Sequence, residues 1–87
     1  MKKNLNKLRI DIDKIDREIL ELLSQRAGIA KEIGLLKNDG VIYKPEREAS
    51  LLAKLKKLNN GPLSQASINN IFKSIISNCR ALEKKLS

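Results

Sequence analysis

An unbroken amphipathic pattern runs from Leu5 to Lys37, and its length constrains the fold more than any other feature of the chain. The segment has no proline and no cluster of turn residues, and its only glycines are Gly28 and Gly34. Apolar residues recur every three or four positions, the spacing of one face of an α-helix. These are Leu8, Ile12, Ile15, Ile19, Leu22, Leu23, Ile29, Ala30 and Ile33. Such a helix is roughly 50 Å long, at about 1.5 Å per residue.

This predicted helix is too long for its own chain to surround. The chain has 87 residues, and a compact domain of that size has a radius of gyration of about 12 Å, hence a diameter near ~30 Å. We predict one domain, residues 1–87, in which a second copy or another partner covers the long helix. The core must be aliphatic, because the chain has one Phe, one Tyr and no Trp.

Two shorter helices are predicted after the long one. The segment Asn38-Asp39-Gly40 ends the first helix, with Gly40 suited to the left-handed residue after a C-cap, and residues 41–44 form a short extended connection. Pro45 fits the first position of a second helix, whose apolar face is Leu51, Leu52, Leu55 and Leu58.

The third helix follows a break at Asn59-Asn60-Gly61-Pro62, and Ser64 is its predicted N-cap. One side of it carries Ile68, Ile71, Phe72, Ile75, Ile76, Cys79 and Leu82. No strand pattern is present, so the predicted fold is all-α, with a long, a short and a medium helix.

Several charged residues fall on these apolar faces. Arg26 and Lys37 are eleven residues apart, which leaves them only about 20° apart around the helix, so they face the same groove. Arg9 lies seventeen residues before Arg26 and is turned away by about 100°, toward a partner's groove for example.

The two shorter helices show the same pattern. Glu48 precedes Leu52 by four residues and lies on the apolar face, with Arg47 at its border; Glu83 follows Cys79 by four. Burying an unpaired charge costs several kcal/mol. One interpretation is a set of salt bridges at the ends of the bundle, with side chains extending to water. Taken together, the charges favour a polar pocket inside a helical bundle that binds a small polyanion.

The amino-acid composition argues against several other kinds of functional site. With no His and one Cys, we expect no metal site, no metal-dependent cofactor, no internal disulfide and no His-based acid–base catalysis. The net charge of +8 is compatible with a solvated surface, nucleic-acid binding or an anionic small molecule. A nucleic-acid reader would need interleaved aromatics or a recognition-helix pattern, and neither is present. No signal peptide or membrane span is evident, so we expect a cytoplasmic protein without a membrane partner.

The order and spacing of these residues resemble the AroQ class of chorismate mutases. The match covers nearly the whole chain and is carried by Leu8-Arg9, Ile12, Ile15-Asp16, Leu22-Leu23, Arg26, Ile33-Gly34, Lys37, Pro45-Glu46-Arg47-Glu48, residues 71–76 and Arg80-Ala81-Leu82-Glu83. The C-terminal segment is similar to the junction in fusions with prephenate dehydratase. The sequence leaves open whether the chain is free-standing or the mutase domain of such a bifunctional enzyme.

The resemblance implies a fold, an activity and a set of site residues. The fold is an intertwined all-α homodimer, and the activity is the conversion of chorismate to prephenate in phenylalanine and tyrosine biosynthesis, without a cofactor. Arg9 would act in trans, Arg26 would clamp a carboxylate, and Lys37 would donate to the ether oxygen. Glu48 would accept from the ring hydroxyl beside Arg47, and Glu83 would be the second donor to the ether oxygen.

Two positions depart from the family's pattern. Lys44 stands where several relatives have Asp, and Cys79 where some have Ser; both would still line the substrate site. A donating Glu83 must be protonated, so the resemblance implies a raised pKa of this carboxyl, which burial favours and nearby cations oppose.

Two other functions remain open from the sequence. Isochorismate-pyruvate lyase resembles these mutases in its helices and arginine cluster, and release of pyruvate from isochorismate would identify it. A basic helical interaction module, binding nucleic acid for example, would bind polynucleotide in a salt-dependent way and leave chorismate unchanged.

Overall fold

The computed structural model contains three α-helices in the predicted order. It describes residues 4–36 and 45–85, the last three of these through their backbone only. Helix α1 is Leu5–Leu36, α2 is Pro45–Leu58 and α3 is Gln65–Lys85. The described residues include no strand, so the prediction of an all-α fold with a long, a short and a medium helix is confirmed. The predicted C-cap at Asn38-Asp39-Gly40 and the connection at 41–44 lie outside the described residues.

Side-chain caps fix the start of α1 and of α3. The Oδ1 atom of Asn4 accepts a hydrogen bond from the backbone N–H of Asn6 at 2.8 Å. The Oγ atom of Ser64 accepts one from the backbone N–H of Ser67 at 3.1 Å. Each bond satisfies an N–H that has no partner within its own helix. The predicted cap at Ser64 is therefore confirmed, whereas the cap at Asn4 was not predicted.

Charges at both ends of α2 complement the helix dipole. Pro45 is the first residue of the helix, and Glu46 and Glu48 lie in its first turn. Lys56 and Lys57 occupy its last turn. Carboxylates near the N-terminus and cations near the C-terminus both stabilise a helix. These residues explain why α2 begins at Pro45, the predicted first residue of the helix.

A side-chain-stabilised turn separates α2 from α3. The Nδ2 atom of Asn59 donates a hydrogen bond to the carbonyl of Leu63 at 3.0 Å. The backbone N–H of Gly61 donates to the Oδ1 atom of Asn59 at 3.2 Å. Asn is favoured at such positions because its side chain replaces backbone partners in a turn. The predicted break at residues 59–62 is confirmed.

Helix α3 is the central element of the described chain. It contacts both α1 and α2, whereas α1 and α2 make no contact with each other in the described residues. Among the described side chains, Ala30 and Cys79 are the two buried apolar ones, with 8% and 7% of their surface exposed, and Gly34 is also buried on α1. Small residues on α1 thus allow close packing, and the core of the single chain is confined to the C-terminal half of that helix.

Most of the apolar face of α1 is uncovered. Ile12, Ile15 and Ile19 are 57%, 53% and 48% exposed. The radius of gyration is 16.5 Å and the molecule measures 59 × 24 × 15 Å, against the roughly 12 Å radius of a compact chain of this length. In the described part of the chain, no helix is both long and apolar enough to cross a membrane.

Candidate active site

Arg26 is the half-buried cation of the long helix. Residues 5–36 contain six basic side chains, and the other five are exposed. Arg26 makes no hydrogen bond or ion pair with another described residue. A guanidinium keeps its charge under all conditions in which the protein folds. Partial burial without a carboxylate partner therefore makes this position suited to an anion.

The start of α2 places a carboxylate on that helix's apolar side. Glu48 is half-buried, as are Leu51, Leu52 and Leu55 of the same face. Arg47 is exposed at the border. Neither Arg47 nor Glu48 has a hydrogen-bond or ion-pair partner among the described residues. The inward position that helical spacing predicted for Glu48 is thus the position found.

On α3, Cys79 is the most buried of the predicted site residues whose side chains the structure describes. Its thiol is free and its side chain is 7% exposed. This burial agrees with the role of a small core residue. The backbone of Glu83 lies in α3 one turn later. Its side chain lies outside the described part, as do Lys37 and Lys44 entirely, so their roles stay predictions.

Arg9 is exposed near the start of α1 and has no ion-pair or hydrogen-bond partner among the described residues. Seventeen residues of continuous helix separate it from Arg26, a distance of about 25 Å along the axis. An arginine side chain cannot span that distance. Arg9 is thus not brought to the Arg26 position of its own chain.

Arg80 is a half-buried cation that sequence reasoning missed. It follows the buried Cys79 directly and precedes Glu83 by three residues. By helical spacing it lies about 120° from the centre of the apolar face of α3, so periodicity assigns it to the polar side. Its burial depends on what packs against that side, which periodicity does not report.

These features define a class of protein: a small all-α chain whose long first helix packs against its third helix and carries a half-buried arginine that has no counter-ion among the described residues. Comparison with known proteins gives the family. The model for "Chorismate mutase type II" matches residues 8–84. The chain belongs to this family.

Relatives and solved structures agree with this assignment. A bifunctional chorismate mutase/prephenate dehydratase of Neisseria gonorrhoeae is 46% identical over 87% of this chain and 21% of its own length. A chorismate mutase of Methanocaldococcus jannaschii is 34% identical over 98% of this chain and 89% of its own. The present chain spans 21–24% of the length of four bifunctional relatives.

Two solved structures share the fold along most of their length. A chorismate mutase from Thermus thermophilus superposes with a TM-score of 0.89, at 37% identity, over 94% of this chain and 96% of that one. A chorismate mutase from Helicobacter pylori in complex with prephenate gives a TM-score of 0.88, at 29% identity, over 94% and 91%. The fold expected from the resemblance is confirmed at the level of the single chain.

Proposed function

We propose that this chain catalyses the rearrangement of chorismate to prephenate in phenylalanine and tyrosine biosynthesis. The observation that carries the proposal is Arg26, half-buried in the apolar face of α1 with no counter-ion among the described residues. Chorismate has two carboxylates, and a planar guanidinium binds a carboxylate through two parallel hydrogen bonds. Membership of the chorismate mutase type II family supports the same substrate.

The proposed reaction requires no covalent catalysis by the protein. The rearrangement is pericyclic: one carbon–oxygen bond breaks while one carbon–carbon bond forms, with no nucleophile or cofactor. The protein restricts the enolpyruvyl arm to a conformation folded over the ring. It also stabilises the negative charge that develops on the ether oxygen as the bond breaks.

The side chains divide these tasks. Arg26 and the Arg9 of a second subunit hold the carboxylates, while Lys37 and a protonated Glu83 donate to the ether oxygen. Glu48 accepts a hydrogen bond from the ring hydroxyl beside Arg47, and Lys44 and Cys79 line the site. The half-burial of Glu48 supports its part in this assignment. Lys37, Lys44 and Glu83 take their roles from the family resemblance.

The active form is a homodimer in which two copies of α1 cover each other. The accessible surface of the single chain is 7419 Å², whereas a compact monomer of 9.8 kDa would expose only about 5,200 Å². The excess of roughly 2,000 Å² per chain is large enough for an obligate interface. The exposed stripe of Ile12, Ile15 and Ile19 supplies the apolar surface that such an interface buries.

Pairing of the long helices also gives Arg9 a function. Within one chain it lies about 25 Å from Arg26 along the helix axis. An antiparallel partner would bring its own Arg9 alongside the C-terminal half of α1, where Arg26 lies. Each of the two sites would then contain residues from both subunits. The cytoplasmic location expected from the sequence stays a prediction.

Loss of chorismate's diene absorbance, with prephenate identified as the product, tests the proposed activity on the purified protein. We expect Arg26→Ala to lower kcat/KM by roughly 100-fold or more, because one charged bidentate contact is lost. Lys31→Ala is the matched control, since Lys31 is an exposed cation on the same helix. No turnover of chorismate by the wild type would overturn the proposal, and pyruvate release from isochorismate would replace it with the lyase.

A further inference from the structure

Four exposed lysines of α2 and α3 lie outside the proposed site: Lys54, Lys56, Lys57 and Lys73. We propose that these four lysines attract the dianionic substrate electrostatically and so raise its local concentration at the site, without touching it. The inference rests on the proposed function, because it takes a substrate with two carboxylates. It adds residues that determine how readily that substrate is captured.

Positive charge is unevenly distributed among the described helices. Helix α1, Leu5–Leu36, contains six basic and six acidic residues, so its charges cancel. Residues 49–82 contain five basic residues and no acidic residue. The excess positive charge of the described residues therefore lies on α2 beyond its first turn and on α3.

The four lysines face water and are not neutralised by a described neighbour. None of them forms an ion pair with another described residue. By contrast, the exposed Lys7 of α1 pairs with Asp11 at 2.6 Å. An ion pair contributes little to the field at a distance, whereas a cation without a nearby carboxylate contributes its full charge. The field of α2 and α3 is thus one that attracts anions.

The distance between these lysines and the proposed site is short enough for this attraction to act. Lys54 follows Glu48 by six residues on α2, and Lys73 precedes Cys79 by six residues on α3. Six residues correspond to about 9 Å along a helix axis. The Debye length is about 30 Å at 0.01 M ionic strength and about 8 Å at 0.15 M. The attraction should therefore be strong at low salt and largely screened at physiological salt.

A surface that serves solubility alone is the competing account of the four lysines. A dianion is attracted twice as strongly as a monoanion in the same field, so a substrate with two carboxylates gains most from it. The two accounts differ in whether capture of the substrate depends on charge at these four positions, and in whether that dependence disappears with added salt.

A variant with Gln at all four positions removes the charges, and a matched variant with Arg at the same positions keeps them. Steady-state kinetics with chorismate at ionic strengths of about 0.01 M and about 0.15 M would give kcat and KM for each protein. We expect the Gln variant to lower kcat/KM by about fourfold at the lower ionic strength and by less than about 1.5-fold at the higher. The loss should lie in KM, with kcat unchanged, and the Arg variant should match the wild type at both.

The outcomes separate this inference from the proposed activity. Equal kcat/KM values for the Gln and Arg variants at low ionic strength would overturn it, as would a loss that persists undiminished at the higher ionic strength. If the wild type binds chorismate without converting it, the mutase proposal fails, and Kd values from calorimetric titration replace KM in the same comparison. If the wild type neither binds nor converts chorismate, both proposals are wrong.

Discussion

The burial of arginine is the most informative feature at the residue scale, because a guanidinium does not give up its proton in a folded protein and so keeps its charge. A partly buried lysine or carboxylate can neutralise itself, whereas a partly buried guanidinium must find an anion. Arg26 has no such partner among the described residues, whereas Arg80, which is also half-buried, has an interaction within the chain. The half-burial of Arg26 on the apolar face of α1 is thus better explained by a ligand than by packing alone.

At Glu83 the proposed role carries a pH dependence. A carboxyl group donates a hydrogen bond only while it is protonated, so activity should be present below the pKa of Glu83 and fall as pH rises through it. Glu83→Gln keeps a donor at every pH, and we expect its profile of kcat/KM against pH to be flatter. The measurement compares both proteins from acidic to alkaline pH, with prephenate formation as the readout. A wild-type profile that stays level across neutral pH would count against Glu83 as a donor.

Sequence reasoning predicted the partial burial of two charged residues and missed that of a third, for a physical reason. Arg26 and Glu48 lie inside runs of regularly spaced apolar residues, so helical periodicity alone predicts that they face inward. Arg80 lies outside such a run, and its burial depends on how α3 meets the rest of the chain. Periodicity reports which side of a helix is apolar, but it does not report how far along that side another element extends.

Among the secondary-structure elements, local chemistry fixes the boundaries. Pro45 starts α2 and Ser64 caps α3, because each supplies what a helix N-terminus needs. These positions are readable from sequence since the interactions span at most three residues. The cap at Asn4 was missed, although Asn is a favoured cap residue. The contact of α3 with both other helices depends on long-range packing, which no short motif encodes.

The Ser64 cap makes a prediction about α3. Replacing Ser64 by Ala removes the acceptor of the Ser67 N–H at 3.1 Å, and we expect the free energy of unfolding to fall by about 1 kcal/mol. Ser50→Ala is the control, because Ser50 is exposed within α2, where alanine is the better helix former. Urea unfolding at one fixed protein concentration gives both values. A fall for Ser50→Ala as large as that for Ser64→Ala would contradict the capping role.

For the whole molecule, the extended shape and the small core both favour folding that is coupled to pairing with a second chain. The chain is extended, with a radius of gyration of 16.5 Å, and the buried apolar side chains among the described residues, Ala30 and Cys79, are both small. A core of that size does not offset the conformational entropy lost on folding. Folding and pairing should therefore be coupled, so that stability rises with protein concentration. In the proposed dimer, the interface would also be the place where the two sites are completed.

Mixing two inactive variants tests whether a site is shared between chains. Arg9→Ala and Arg26→Ala should each be nearly inactive alone, because every site of either homodimer lacks one arginine. If Arg9 acts in trans, a mixed dimer has one site with both arginines and one with neither. Equal amounts of the two variants, refolded together to exchange subunits at random, should then recover about a quarter of wild-type activity, since half of the dimers are mixed. If Arg9 acted within its own chain, every site would still lack one arginine and the mixture would remain inactive. With an affinity tag on one of the two variants, recovery of the untagged variant together with the tagged one shows whether subunits exchange.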